Sequence, residues 1–177
     1  MVKKLTTYFL YTAVFLLALI YFVPKNSIYY FAEHELKKYD VVISNEHLEE
    51  NLFTLKIKNM DIDVHGIETL SIDESQIMLL FFYNSMTFNN IKLSSAMQAF
   101  LPVKIQNISV VYTILDPLHV KAVAQGDFGK AESSVSLKEK RVKVILHPSR
   151  NMLEHYRNSL RMFTRAKNGE YIYAKTF

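Results

Sequence analysis

The chain of 177 residues contains no cysteine. Disulfide bonds, thiolate metal sites and cysteine nucleophiles are therefore all excluded. Glycine and proline are scarce as well, with 4 of each, and 50% of the residues are hydrophobic. Because the sequence has no low-complexity run either, it predicts a folded chain rather than a disordered one.

The sequence also lacks a complete catalytic motif. His34-Glu35 begins like a zinc-protease motif, but Lys38 occupies the position of its second histidine. Asp127-Phe128-Gly129 matches the magnesium-binding tripeptide of protein kinases, yet no glycine-rich loop or His-Arg-Asp segment accompanies it, so this tripeptide predicts a turn. No serine lies in a Gly-x-Ser-x-Gly frame. We therefore expect a non-catalytic protein that needs no cofactor.

One group of residues has the chemistry of a metal site. Asp61, Asp63 and His65 alternate along a predicted strand, which places two carboxylates and an imidazole on one face. The alternative is that these side chains form the solvated face of a half-buried strand. Since no second cluster of ligands occurs in the sequence, we expect no metal site.

Leu5–Val23 is a run of nineteen residues without a charged side chain. At about 1.5 Å per residue, a helix of this length matches the hydrocarbon thickness of a bilayer. A cleaved signal peptide is the alternative, but the run ends in Tyr21-Phe22-Val23 rather than in small residues. Residues 1–25 therefore predict a cytoplasmic stub and a transmembrane anchor.

The charges beside this run predict its orientation. Lys3, Lys4 and the amino group precede it, so the positive-inside rule places the N-terminus in the cytoplasm. The rest of the chain would then lie in the periplasm, tethered to the bacterial inner membrane by a single pass. Residues 26–39 have the apolar spacing of a juxtamembrane helix. Residues 40–177 are sufficient for one domain with its own core.

From Asp40 onward the apolar period is two, which is typical of strands. Apolar residues occupy the odd positions from 53 to 57 and the even positions from 60 to 64. A bulge or turn near Asn59 must therefore redirect the side chains. Further strands are predicted at Thr87–Leu93, Val103–Leu115 with a break, His119–Gln125, Lys130–Leu137 and Arg141–His147.

Short turns separate these strands, which predicts an antiparallel meander, since parallel strands need crossovers of a dozen or more residues. Ile77–Tyr83 is a run of seven apolar residues. Its pattern is compatible with a buried strand and with a short buried helix.

The C-terminal part of the chain is basic. Residues 81–177 contain 14 Lys and Arg against 6 Asp and Glu, whereas residues 24–80 contain 5 against 11. Residues 149–167 have the apolar spacing of an amphipathic helix, which Ser149 would cap. Its arginines could bind an acidic partner or lipid headgroups, or could lie in water while the helix closes one end of the sheet. The predicted binding residues are Arg150, Arg157, Arg161, Arg165 and Lys167.

Several segments between residues 50 and 147 share a pattern with a known family. They are the strand pair Leu52–Val64, Leu70–Asp73, Met78–Tyr83, Phe88–Leu93 and the hairpin that contains Gly126-Asp127-Phe128-Gly129. In this pattern the chain resembles general secretion pathway protein N and the wider AsmA-like periplasmic family. The resemblance implies a bitopic inner-membrane protein with a curved antiparallel sheet. It implies a structural role in an envelope-spanning machine, or a lipid-handling groove.

The predicted fold is thus mainly β with flanking helices: one N-terminal transmembrane helix, a curved antiparallel sheet and a C-terminal amphipathic helix. The expected function is a structural scaffold subunit of a secretion system or flagellar motor. Its partners would be other membrane or periplasmic proteins and membrane lipid, but not nucleic acid. A periplasmic lipid-binding groove is the alternative function.

These two functions require different interiors. A lipid carrier needs an open apolar concavity, whereas a scaffold fills its sheet face with side chains. Large aromatic residues are numerous enough to fill such a face, which favours the scaffold. They are Phe53, Phe81, Phe82, Phe88 and Phe100.

Overall fold

A computed structural model describes residues 2–80, 82–98 and 104–177. Within these ranges the protein is mainly β. The helices are α1 (Val2–Phe22), α2 (Lys25–Lys37), α3 (Ser95–Gln98), α4 (Arg150–His155) and a short 3₁₀ helix (Ser159–Met162). The strands are β1 (Val41–Ser44), β2 (His47–Glu50), β3 (Thr54–Val64), β4 (Ile67–Leu79), β5 (Tyr83–Leu93), β6 (Lys104–Thr113), β7 (His119–Gly126), β8 (Gly129–Ser136), β9 (Arg141–Pro148), β10 (Thr164–Arg165) and β11 (Tyr171–Thr176).

The described strands form one antiparallel sheet in the order β1-β3-β4-β5-β6-β7-β8-β9-β11-β10. From β3 to β9, each strand pairs with its neighbours in sequence, so the predicted meander is confirmed. At one edge, β1 and β2 pair with different halves of β3. At the other edge, β11 pairs with β9 and carries β10 on its outer side. Both edges therefore consist of very short strands.

The strands predicted from the apolar period are confirmed as β5 to β9. Val103, the first residue of one predicted strand, lies outside the described residues. The segment Ile77–Tyr83 is divided, since β4 ends at Leu79 and β5 begins at Tyr83. Phe81, within that segment, also lies outside the described residues.

The predicted transmembrane anchor is wrong. Among the described residues, no helix combines the length and the apolarity that crossing a membrane requires. α1 has 21 residues, and the threonines and tyrosines in its N-terminal half lower its apolarity. The single-pass inner-membrane localisation, which depended on this anchor, is corrected with it.

A phase shift runs across four neighbouring strands at one level of the sheet. Along a regular strand, every second residue faces inward. At this level of β3, β4, β5 and β6, two successive inward-facing residues are three positions apart in the sequence. The pairs are Ile57 and Met60, Ile72 and Ser75, Phe88 and Ile91, and Ile105 and Ile108. Because the shifts are aligned, the strands stay in register while the side chains change phase.

Two asparagines make this shift possible. Asn59 and Asn90 adopt left-handed backbone angles, with φ of 55° and 54°. Asparagine tolerates this conformation better than most residues with a side chain. On the outer face at the same level, Asn107 donates a hydrogen bond to Asn89 over 2.7 Å, and Lys92 lies 3.0 Å from Asp73. The irregularity predicted near Asn59 is therefore confirmed.

One row of side chains crosses the sheet on its apolar face. Each member is the cross-strand partner of the next, so all of them point to the same side. We call it the central row: Ile57, Ser75, Phe88, Ile108, Ala124, Ala131, Leu146 and Tyr171. The rest of the molecule is arranged around this row.

The two ends of the central row carry separate core clusters. Near β3, Tyr29 of α2 packs with Leu55, Ile57 and neighbouring apolar residues. Near β9, a second cluster consists of Phe128, Leu146, Met152 and Leu160. Ile105 packs against both clusters.

The continuous helix predicted over residues 149–167 is wrong. α4 ends at His155, the 3₁₀ helix follows at Ser159–Met162, and Thr164 already belongs to β10. A continuous helix over 149–167 would be about 28 Å long and would include the residues of β10. The segment breaks instead, so that the chain turns back into β10 and β11.

The phase shift gives a direct test of the left-handed positions. We expect Asn59→Val to lower the free energy of unfolding by about 1–2 kcal/mol, because a β-branched side chain is strained at positive φ. Asn59→Gly is the matched control and should not destabilise the protein, since glycine adopts this φ without strain. Urea denaturation of both variants measures the difference. Equal stability of the two variants would contradict the aligned shift.

Candidate ligand-binding site

The chain from Ser149 to Phe163, which contains α4 and the 3₁₀ helix, is called the C-terminal segment. A cavity of about 760 Å³ lies between the sheet and this segment. We call it the C-terminal cavity. Only Asn158 and Ser159 contribute polar side chains to its lining. The lining residues are Ile105, Ala124, Phe128, Ala131, Val144, Leu146, Met152, Asn158, Ser159, Met162 and Phe163. Its size falls within the range of about 300–1,000 Å³ that is usual for small-molecule sites.

Small residues in the central row create this cavity. Ala124 and Ala131 are cross-strand partners, and both line the cavity floor. The preceding members of the row, Phe88 and Ile108, are large and pack against the first core cluster. The cavity is therefore deeper above the two alanines.

The turn between β7 and β8 closes one end of the cavity. It is formed by Asp127 and Phe128, which confirms that the Asp-Phe-Gly tripeptide is a turn. The Phe128 ring folds back over its own hairpin, so that a Cβ atom on Gly126 would lie 2.9 Å from Phe128 Cε1. Glycine at this position therefore makes room for a cavity wall.

Ser149 connects the C-terminal segment, which lies over the cavity, to the same turn by hydrogen bonds. Its backbone N–H donates to Phe128 O over 2.8 Å, and its hydroxyl donates to Asp127 O over 2.5 Å. The Ser149 Oγ also accepts a hydrogen bond from the backbone N–H of Met152 over 3.1 Å, which confirms the predicted helix cap. Met152 is thereby held over the cavity, where its side chain is buried.

A basic groove of about 570 Å³ lies on the other side of the C-terminal segment. We call it the arginine groove. Leu153, Arg157, Leu160, Arg161, Arg165 and Tyr171 line it. Its wall includes Leu160, which belongs to the second core cluster, and Tyr171, which packs against that cluster. The groove and the C-terminal cavity therefore both border the second core cluster.

The arginines of the groove are oriented by their neighbours. Arg157 Nε donates to the carbonyl oxygen of Leu153 over 2.9 Å. The Arg165 Cζ atom lies 6.0 Å from the centre of the Tyr171 ring, near the limit for a cation–π contact. Within the part of the chain that the structure describes, no carboxylate forms an ion pair with Arg157, Arg161 or Arg165. Their charge is available to an anion.

The five basic residues predicted from the sequence thus separate into two groups. Arg157, Arg161 and Arg165 converge on one groove, whereas Arg150 and Lys167 do not line it. Arg150 is 92% exposed and its Nε lies 3.4 Å from a Glu154 oxygen. Arg150 and Glu154 therefore form a surface ion pair, and such a pair contributes little to stability or recognition.

A second cavity of about 270 Å³ lies beneath α2 at the other end of the central row. We call it the N-terminal cavity. Its walls come from α2 and from the inner faces of β1 and β3 to β5. Four residues bring polar atoms to this otherwise apolar space: Lys25, Tyr29, Glu33 and Ser75. Of these, Lys25, Tyr29 and Ser75 are each less than 9% exposed.

The polar groups of the N-terminal cavity differ in their pairing. The Lys25 ammonium lies 3.5 Å from Glu50 Oε1 and donates to Val23 O over 3.4 Å. The Tyr29 and Ser75 hydroxyl groups have no hydrogen-bond partner among the described residues. A buried hydroxyl without a partner costs about 1–3 kcal/mol. Burial, together with the nearby carboxylate of Glu46, raises the pKa of Tyr29 well above its usual range.

The acidic strand that could have formed a metal site has other contacts. Asp61 accepts a hydrogen bond from Asn45 Nδ2 over 2.9 Å, and His65 Nδ1 lies 3.3 Å from Asp40. In the described ranges, no three His, Cys, Asp or Glu side chains converge as a ligand set would.

The sequence did not indicate which residues line the C-terminal cavity. In the sequence, Phe128 lies in a predicted turn, and Met152 and Phe163 lie in the predicted continuous helix over residues 149–167. A signal was nevertheless present, because the hairpin around Gly126 carries small residues at inward-facing positions on both strands. Small residues opposite each other leave space unless a neighbouring element fills it.

No protein-family model, curated protein or solved structure matches this chain. The function must therefore be argued from the site itself.

The hairpin that supports the cavity gives a test of the architecture. We expect Gly129→Ala to lower the free energy of unfolding by about 3 kcal/mol or more. Gly129 has φ of 113°, and a Cβ atom there would lie 2.1 Å from His147 O and 2.7 Å from Ser149 N. Gly169→Ala is the matched control, because Gly169 has φ of 86° but no atom within 4 Å of the added carbon. Thermal unfolding compares the two variants, and equal losses would contradict the close packing at Gly129.

Proposed function

We propose that the protein is a non-catalytic lipid-binding protein that holds one acyl chain in the C-terminal cavity. The observation that carries this proposal is the large cavity with an almost wholly apolar lining. Burying an acyl chain there removes apolar surface from water at roughly 25 cal/mol per Å². This proposal corresponds to the groove that the sequence suggested as its alternative function.

The positions of the phenylalanines support the carrier over the scaffold. Of the five that were expected to fill the sheet face, Phe88 lies in the central row. Phe53 and Phe82 are exposed, and Phe81 and Phe100 lie outside the described residues. A filled inner face, on which the scaffold depended, has less support than an open one. The scaffold function in an envelope-spanning machine stays a prediction.

The arginine groove supplies the other half of an amphiphile site. An acyl chain that enters beside Met162, which is 72% exposed at the cavity wall, leaves its headgroup outside. Arg157, Arg161 and Arg165 line the neighbouring groove and lack carboxylate partners among the described residues. Guanidinium groups bind carboxylates and phosphates through charge-assisted hydrogen bonds. The preferred ligand is therefore an amphiphile with an anionic headgroup.

The cavity predicts the effect of filling it. Ala131→Phe should reduce palmitate affinity at least about 10-fold, because the ring occupies the floor on which the chain lies. Ala174→Phe is the matched control, since Ala174 is exposed and lies on the outer face of β11. Titration calorimetry with palmitate measures both variants, and circular dichroism checks that both are folded. Unchanged affinity in folded Ala131→Phe would remove the C-terminal cavity as the site.

The groove predicts a dependence on headgroup charge. Replacing Arg157, Arg161 and Arg165 together by Gln should weaken palmitate binding about 10-fold and leave the unfolding midpoint nearly unchanged. The loss should shrink as salt rises, since exposed charges are screened beyond about 8 Å at physiological ionic strength.

Arg150→Gln combined with Lys167→Gln is the control for lost positive charge outside the groove. Monopalmitin, which has the same chain and an uncharged headgroup, should bind equally well to the wild type and to the triple variant. Lysophosphatidic acid distinguishes a phosphate headgroup from the carboxylate of a free fatty acid. Equal losses in the triple variant and the control would show that the groove does not bind the headgroup.

A further inference from the structure

The N-terminal cavity contains two buried hydroxyl groups that face an apolar space. Ser75 is 0% exposed and Tyr29 is 6% exposed. Both residues line the cavity, and neither hydroxyl has a hydrogen-bond partner among the described residues. Buried polar groups are nearly always paired, so an unpaired couple in one cavity calls for an explanation. A ligand with a hydrogen-bond acceptor would provide the missing partner.

The charges around the cavity determine the kind of acceptor. Lys25 is paired with Glu50, and Glu33 is paired with Lys37 over 2.7 Å. No cation of the cavity wall is therefore left over for an anionic ligand. The raised pKa of Tyr29, which results from burial and then from nearby carboxylates, keeps its hydroxyl protonated and able to donate. An uncharged acceptor suits this site better than a carboxylate.

The size and the lining of the cavity determine the rest of the ligand. A volume of about 270 Å³ is smaller than that of the C-terminal cavity and slightly below the usual range for drug-sized ligands. Leu55, Ile57 and Ile77 form part of its apolar wall. A short apolar chain fits this space, whereas a complete phospholipid does not.

We propose that the N-terminal cavity is a second binding site, which takes a small uncharged molecule with an apolar chain and a carbonyl acceptor, such as an ester. The acceptor receives hydrogen bonds from the Tyr29 and Ser75 hydroxyl groups, and the chain lies against Leu55 and Ile77. The site is independent of the anionic lipid site at the other end of the central row. No covalent step takes place there.

The test uses three probes of similar length on the purified full chain: methyl octanoate, octanoate and nonane. They carry an uncharged acceptor, an anionic acceptor and no acceptor, respectively. We expect methyl octanoate to bind the wild type more tightly than either of the other two. Calorimetric titration gives the affinities, and nuclear magnetic resonance of the Tyr29 ring reports binding in the cavity.

Two nearly isosteric variants remove the donors. Tyr29→Phe combined with Ser75→Ala should weaken methyl octanoate binding about 10-fold, because two hydrogen bonds are lost. Nonane affinity should be unchanged. The unfolding midpoint of the ligand-free variant should stay the same or rise, since removing an unpartnered buried hydroxyl relieves a cost of folding. Palmitate binding should also be unchanged, which separates this site from the C-terminal cavity.

Several results would overturn the second site. One is equal binding of methyl octanoate and nonane to the wild type. Another is a lower unfolding midpoint in the ligand-free variant, which would show that the hydroxyl groups serve the fold through bound water. A third is the absence of methyl octanoate binding to the wild type. None of these results bears on palmitate binding in the C-terminal cavity.

Discussion

A single antiparallel sheet with one apolar face must find cover for that face, and the rest of this structure follows from that requirement. No second described sheet packs on the central row. Two short helical segments cover the apolar face instead: α2 at one end and the C-terminal segment at the other. Because the row is longer than either cover, and because Ala124 and Ala131 are small, packing is incomplete and leaves cavities. The two cavities are thus a result of the way in which the sheet is covered.

The two cavities resemble each other in position but differ in chemistry. Both lie on the central row beneath a helical segment. The C-terminal cavity adjoins arginines that lack acidic partners among the described residues. The N-terminal cavity instead carries two hydroxyl groups without partners among the described residues, and its charged residues Lys25 and Glu33 are already paired with Glu50 and Lys37. The two proposed ligands differ accordingly, with an anionic amphiphile at one end and an uncharged molecule at the other.

The sequence predicted the parts of the fold that local patterns control. The apolar period of two correctly predicted strands β5 to β9, and the change from odd to even apolar positions correctly predicted the irregularity at Asn59. Both patterns depend only on residues that are neighbours in the sequence. Most of β4 did not follow from the pattern, because its inward residues Ile72 and Ser75 are spaced by three. That spacing is meaningful only beside the same shift in β3 and β5. Periodicity within one strand does not reveal an alignment between strands.

The helical predictions failed where tertiary structure overrides local preference. Residues 149–167 have a good helical pattern, but the helix ends at His155 because the chain returns to pair as β10 and β11. Three of the five predicted basic residues nevertheless meet in the arginine groove: Arg157 from the turn after α4, Arg161 from the 3₁₀ helix and Arg165 from β10. The cavity could not be predicted from the sequence, because an absence of packing depends on elements that are distant along the chain.

The short edge strands have a consequence for how this sheet meets other molecules. Exposed strand edges are templates on which further chains can add, and proteins protect them by keeping edge strands short or charged. Here β1 and β2 have four residues each and β10 has two, while Glu49, Glu50 and Arg165 place charges in them. A further strand that pairs with β1, β2 or β10 has little backbone along which to continue. The short, charged strands β1, β2 and β10 therefore discourage the addition of peptide strands at these borders.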